Sequence, residues 1–137
     1  MKTVRKKVHA LIFARKGKET YFLILHRVLH WRGWELVKET IERGETPRQA
    51  VIRGIKEETK LKNWKIVRRV NRRIRFSVKG KKMVIVGIYI VKADMKEKVD
   101  VNQKIREHDM YKWVKEREAV QLLTFESAKR LVREFKE

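Results

Sequence analysis

The sequence has no cysteine, only one proline and only six glycines among its 137 residues. Without cysteine there are no disulfides, thiolate metal sites or cysteine nucleophiles. No apolar run approaches the ~20 residues that a membrane span needs, and the basic start lacks the apolar segment of a signal peptide. We therefore expect a single domain, residues 1–137, that works in the cytoplasm and has no membrane partner.

Acidic residues are scarce relative to basic ones: 37 Lys and Arg stand against 17 Asp and Glu, a net charge of +20. A charged share of 39% is typical of thermophile proteins with many surface ion pairs. That explanation covers the number of charges but not their imbalance, which a bound polyanion would relieve. The composition favours RNA or a ribonucleoprotein as the main partner, with anionic small molecules such as nucleotides, or membrane surfaces, as the less favoured alternatives.

Hydrophobic periodicity predicts an alternation of strands and helices. Apolar runs at residues 8–14 and 20–28 predict buried strands, and an irregular stretch follows at residues 30–45. Thr46, Pro47 and Gln49 form a helix-start signal with a capping box, for a helix that should end near Lys60. Short helical patterns occupy residues 116–123 and the segment after residue 124. We expect Thr124 to cap the last helix.

The block of residues 62–82, called the basic block below, holds ten Lys or Arg and no acid. Strict alternation at residues 73–79 predicts a strand with one wet face, a hairpin tip at residues 79–81, and a central return strand at residues 83–91. A charged sheet edge that blocks aggregation would need far fewer cations. We therefore predict nucleic-acid contacts by Lys65, Arg68, Arg69, Arg72, Arg73, Arg75, Lys79, Lys81 and Lys82.

A motif spans residues 39–61 and reads Glu-x5-Glu-x7-Arg-Gly-Ile-x-Glu-Glu-x-Lys-Leu. It resembles the Nudix box, Gly-x5-Glu-x7-Arg-Glu-U-x-Glu-Glu-x-Gly-U, where U is a bulky aliphatic residue. The segments around residues 34–45 and 107–119 are similar to those of diadenosine-tetraphosphate hydrolases in the same superfamily. The resemblance implies the Nudix fold, an α/β architecture with a mixed sheet sandwiched between helices.

The same resemblance implies site residues. Glu45, Glu57, Glu58 and Glu107 would be the metal-binding carboxylates, and Glu57 and Glu58 the remnant catalytic pair. Lys38 and Tyr111 would contact a nucleotide. The cofactor would be Mg²⁺ if hydrolysis is retained, and otherwise none is required. Tryptophans 31, 34 and 64 could stack on bases, although a place in the core is the commoner role.

Three box positions depart from the family pattern: Glu39 and Lys60 replace glycines, and Gly54 replaces the first of three helix carboxylates. Glycine offers no ligand, and a carboxylate at position 54 would complete the i, i+3, i+4 cluster. Our first hypothesis is therefore a non-catalytic Nudix-fold protein that binds RNA, as a ribosome or ribonucleoprotein component. The alternative is a Mg²⁺-dependent hydrolase of nucleoside polyphosphates, dinucleoside tetraphosphates among them, or of capped RNA ends, with a rearranged site.

Overall fold

The computed structural model describes residues 4–137, which contain eight strands and three helices. None of these helices is long and apolar enough to cross a membrane. The strands are β1 (Arg5–Lys16), β2 (Glu19–Arg27), β3 (Gly33–Glu35), β4 (Val37–Thr40), β5 (Trp64–Val70), β6 (Ile74–Val78), β7 (Lys81–Ala93) and β8 (His108–Val114). The helices are α1 (Pro47–Thr59), α2 (Glu116–Leu122) and α3 (Glu126–Arg133).

All eight strands belong to one mixed sheet. Its central order is β3-β2-β1-β7-β5, while β4 pairs with β1, β6 with β7 and β8 with β2. Strands β1 and β7 run parallel, and the other pairings are antiparallel. Since β7 contacts three strands, the prediction that the apolar return strand lies centrally is confirmed.

Two apolar cores cover the two faces of the sheet. On one face, Val51 and Ile55 of α1 pack against residues such as Val8 of β1. On the other, Leu131 and Val132 of α3 pack against residues such as Phe13 and Ile88, together with Ala119 of α2. The predicted architecture, a mixed sheet sandwiched between helices, is confirmed.

The two ends of α1 follow from local residues. Thr46 Oγ1 accepts a hydrogen bond from the Gln49 backbone N–H at 3.1 Å, and Gln49 Oε1 accepts one from the Thr46 N–H at 2.9 Å. The predicted capping box is thus confirmed. The helix gives way to Lys60 in the left-handed region, with φ of 61°. A C-terminal glycine would adopt this backbone without strain.

Short strands and one cap were predicted wrongly. The stretch expected to be irregular contains β3 and β4. Strand β5 was not predicted because a register shift between Ile66 and Arg68 interrupts its period of two. Thr124 does not cap the last helix: α3 starts at Glu126, and its N-cap is Phe125. The Thr124 backbone N–H instead donates to the Trp34 carbonyl at 3.0 Å, which ties the loop to β3.

Candidate active site

Glu58 is a carboxylate enclosed by the fold. It lies on the sheet-facing side of α1, its residue is 1% exposed, and neither carboxylate oxygen has a hydrogen-bond partner in residues 4–137. Burial and the neighbouring charges of Glu35, Glu39 and Glu107 raise its pKa well above the usual value. A buried, unpaired carboxylate is costly, and a bound cation would satisfy its oxygens.

Glu107, just before β8, and His108, the first residue of β8, join Glu58. One ligand atom each from Glu58, Glu107 and His108 lie within 4.8 Å of one another, and we call these three residues the Glu58 cluster. His108 Nε2 is 3.9 Å from Glu58 Oε1. Because magnesium prefers oxygen ligands, Glu58 and Glu107 are the members suited to hold it.

His108 is held in place by Glu35, a buried carboxylate on β3. His108 Nε2 lies 2.8 Å from Glu35 Oε2, which also accepts a hydrogen bond from Arg27 at 3.1 Å. Lys38 Nζ lies 3.4 Å from Glu35 Oε1. Although burial favours the neutral acid, the His108 hydrogen bond and the two cations lower the Glu35 pKa to about 2. Glu35 is therefore ionised and orients the ring beside the cluster.

Arg53 gathers carboxylates on the outer side of α1. Its Nε and Nη2 donate to Glu45 at 2.8 and 3.0 Å, and Nη2 also donates to the Thr40 carbonyl at 2.7 Å. These hydrogen bonds lower the Glu45 pKa to about 2. Glu57, with 53% of its side chain exposed, lies 3.4 Å from Arg53 Nη1. The structure thus brings Glu58 and Glu107 together and places Glu45 and Glu57 around Arg53, so metal binding by the latter two stays a prediction.

A basic cleft of about 280 Å³ opens beside these carboxylates. Its lining includes Glu39 and Glu107, so the cleft reaches one member of the Glu58 cluster. Trp31 contributes an aromatic ring to the same wall. The cationic side chains of the lining are Arg5, Lys7, Arg27, Lys38, Lys79 and Lys81. Facing sets of cations and carboxylates are suited to a phosphate chain with its divalent cation.

Lys38 is the most enclosed cation of this cleft. Its ammonium lies 4.9 to 5.7 Å from the ring centroids of Phe76, Phe125 and Trp31. Tyr111, the other predicted nucleotide contact, lines a separate groove with Asp109 and residues 98–102. The structure therefore places Lys38 in the cleft and Tyr111 outside it, and both contacts stay predictions.

The basic block divides into three groups. Lys79 and Lys81 line the cleft. Three arginines bond to the protein itself: Arg68 donates to the Lys136 carbonyl, Arg69 to the Val86 carbonyl, and Arg72 to Glu134. The remaining predicted nucleic-acid contacts are exposed, namely Lys65, Arg73, Arg75 and Lys82. Nucleic-acid binding by the block stays a prediction.

The motif and the geometry agree with the comparison to known families. A model of the NUDIX domain matches residues 3–135. This chain is a member of the NUDIX family. Comparison with curated proteins gives no match.

Several solved structures share the NUDIX fold of this chain. An Ap4A hydrolase from C. elegans, in a binary complex, is 22% identical with a TM-score of 0.83, covering 95% of this chain and 93% of that one. A MutT protein from Methanosarcina mazei is 23% identical with a TM-score of 0.73, and coverage is 96% and 91%. The E. coli dihydroneopterin triphosphate pyrophosphohydrolase is 22% identical with a TM-score of 0.71, and coverage is 98% and 97%. The predicted superfamily is confirmed.

Sequence reasoning missed several residues of this NUDIX site. Arg27 and Glu35 lie on β2 and β3, and they reach His108 only because β2 pairs with both β3 and β8. Arg5 and Lys7 lie on β1, outside the motif. No local pattern marks such residues, because the sheet pairings bring them together.

Proposed function

We propose that the protein is a Mg²⁺-dependent pyrophosphohydrolase of nucleoside polyphosphates. The observation that carries the proposal is the contact between the basic cleft and the Glu58 cluster through Glu107. Family membership and the named structural relatives support this alternative rather than the RNA-binding hypothesis that we favoured from the sequence. The substrate class covers nucleoside triphosphates, dinucleoside tetraphosphates and capped RNA ends.

The residues present fit a magnesium ion. Glu58 contributes two oxygens without hydrogen-bond partners in the described chain, and Glu107 contributes a carboxylate at the cleft wall. Bound there, Mg²⁺ would supply charge to a pyrophosphate and make a coordinated water more acidic. Removing either carboxylate should therefore weaken metal binding.

The chain's own residues would position the substrate. The ammonium and guanidinium groups of Lys7, Lys79, Lys81 and Arg5 line the cleft where a phosphate chain would bind. The Trp31 ring in the same wall offers an aromatic surface to a base. Glu57, which lies outside the cleft lining but shares a neighbouring pocket with Glu107, would be the base that takes a proton from the attacking water.

The test is hydrolysis in the presence of Mg²⁺ with three substrates: a nucleoside triphosphate, a dinucleoside tetraphosphate and a capped RNA oligonucleotide. Glu58→Gln should lower kcat/KM about 100-fold or more, because loss of a ligand should cost at least as much as the ~10–100-fold loss typical of its outer-shell partners. Glu42→Gln is the matched control, since Glu42 is an exposed carboxylate near the same helix and lies outside the cleft lining. Absence of turnover on all three substrates, or full activity of Glu58→Gln, would refute the proposal.

A further inference from the structure

Gly54 and Glu39, the first two departures from the box, are in contact. Gly54 is buried on α1 opposite β4, which carries Glu39. A Cβ built on Gly54 would lie 2.9 Å from Glu39 Cβ, 3.3 Å from its Cγ and 3.6 Å from its Oε2. The Glu39 side chain therefore fills the volume that a side chain at position 54 would occupy.

This contact corrects an expectation from the sequence. A carboxylate at position 54 was expected to complete a three-carboxylate cluster, with Glu39 counted as a separate loss. A Cβ at position 54 instead meets the stem of Glu39, close to its backbone and unable to swing away as a side-chain tip would. The two departures therefore fall at one place in the structure, and the carboxylate present there belongs to β4.

The orientation of Glu39 is set by its neighbours. Its Oε1 accepts a hydrogen bond from the Thr40 N–H at 3.0 Å and lies 3.4 Å from Arg53 Nη1. Arg53 is fixed in turn by its paired hydrogen bonds to Glu45. The other oxygen, Oε2, is the one that lies toward position 54.

We propose that Glu39 is a metal ligand of this protein and that Gly54 provides the space for it. A divalent cation would then bind Glu39 from β4, Glu58 from α1 and Glu107 from the loop before β8. The independent indication of a ligand is Glu58, buried and without a hydrogen-bond partner for either oxygen in the described residues. Glu39 and Glu107 both line the basic cleft, so the cation would face the phosphates.

The inference rests on the proposed function, but it also requires that Glu39 itself contribute to metal binding. If the only role of Glu39 were an ion pair with Arg53, replacing Glu42 should have the same effect as replacing Glu39, because Glu42 lies 3.7 Å from the same Arg53 Nη1. The two carboxylates differ in that the Glu39 side chain is 19% exposed and the Glu42 side chain 68%, and in that Glu39 lines the cleft and contacts position 54. Glu42 is therefore the matched control.

The experiment is calorimetric titration with Mn²⁺, combined with the shift in melting temperature that Mn²⁺ causes. Wild type, Glu39→Gln, Glu42→Gln and Glu58→Gln are compared. We expect Glu39→Gln and Glu58→Gln each to weaken Mn²⁺ binding about tenfold or more, and Glu42→Gln to bind as wild type. The double variant Glu39→Gly, Gly54→Glu should fold and regain most of the affinity, while Gly54→Glu alone should melt at a lower temperature.

The outcomes separate the inference from the proposed function. Wild-type Mn²⁺ affinity in Glu39→Gln, with a loss in Glu58→Gln, would overturn the role of Glu39 and leave the proposed function in place. Mn²⁺ binding that needs Glu39, without hydrolysis of any polyphosphate, would uphold the ligand and overturn the function. No Mn²⁺ binding by the wild type would overturn both. A folded double variant that does not regain affinity would overturn the exchange.

Discussion

Arg53 holds Glu45 by two parallel hydrogen bonds, from Nε to Oε2 and from Nη2 to Oε1. Four carboxylates lie within 4 Å of this guanidinium, those of Glu39, Glu42, Glu45 and Glu57. The same side chain also binds the Thr40 carbonyl, so it fixes the end of β4 against α1.

Arg53→Lys should lower both the melting temperature and the Mn²⁺ affinity, the latter by about tenfold. Lysine carries the charge but cannot form the fork of two parallel hydrogen bonds together with the bond to Thr40. Arg48→Lys, on an exposed part of the same helix, is the control and should match wild type. If Arg53→Lys bound Mn²⁺ as tightly as wild type, the positive charge at position 53 would be sufficient for metal binding without the paired hydrogen bonds.

His9 should make the protein sensitive to acid. Burial, followed by the charge of Lys38, lowers the His9 pKa from 6.5 to about 3. The unfolded chain binds a proton at His9 more readily than the folded protein does. The contribution of neutral His9 to the free energy of unfolding is therefore complete above pH 6.5 and is lost as pH falls toward 3. The loss due to His9 should be roughly 1.4 kcal/mol per pH unit within that window. Glu58 opposes this loss above its unfolded pKa, because its raised pKa makes the folded protein the stronger proton binder there.

The measurement is the free energy of unfolding in urea between pH 7 and 4.5. At each pH below 6.5, His9→Gln should lose less stability relative to its own value at pH 7 than wild type does, whereas His30→Gln, at an exposed histidine, should follow wild type. An unchanged slope in His9→Gln would assign the acid sensitivity to other groups.

Lys60→Gly should stabilise the protein. Lys60 has φ of 61° and ψ of 13°, a conformation that costs a residue with a Cβ about 1 kcal/mol and glycine little. The substitution should raise the free energy of unfolding by about that amount. Lys56→Gly, at an exposed position inside α1, should lower it by about 1 kcal/mol. A loss of stability in Lys60→Gly would mean that the hydrogen bond from Lys60 Nζ to the Glu57 carbonyl matters more.

The division of the basic block predicts different effects for its members. The double variant Lys79→Ala, Lys81→Ala should raise KM for a nucleoside polyphosphate about tenfold, since each lost charged hydrogen bond weakens binding. Arg73→Ala, Arg75→Ala should leave KM unchanged, because these residues lie outside the cleft lining.

The same variants test the RNA-binding hypothesis. If the exposed block binds single-stranded RNA, Arg73→Ala, Arg75→Ala should reduce the salt dependence by a slope of about 0.7 per lost phosphate contact. The measurement is RNA affinity at several salt concentrations. If the slope of RNA affinity against salt concentration were unchanged, these two arginines would make no phosphate contacts with RNA.

The sequence predicts this fold well where the determinants are local. The capping box at Thr46 and Gln49 needs residues three positions apart, and the hairpin between β6 and β7 needs only alternation and the Lys79-Gly80 turn. Strands β3 and β4 have three and four residues, too few for a period of two to be recognised.

The site was predicted less completely because distant parts of the chain form it. His9 faces Lys38 through the pairing of β1 with β4, and Glu35 meets His108 although 73 residues separate them. One indication in the sequence was not recognised. Relative to the Nudix box, glycine and glutamate are interchanged between positions 39 and 54. Recognising this as an exchange requires knowing that the two positions touch.

The contact between Glu39 and Gly54 also constrains the evolutionary routes between this chain and the usual NUDIX box. Introducing glutamate at position 54 first produces a steric conflict, whereas replacing Glu39 by glycine first passes through a protein with neither carboxylate. If Glu39 is the metal ligand proposed above, each single step is penalised, so the present arrangement resists reversion even though the two end states carry the same side chains. Positions 39 and 54 therefore count as two separate departures in the sequence but share one contact in the structure.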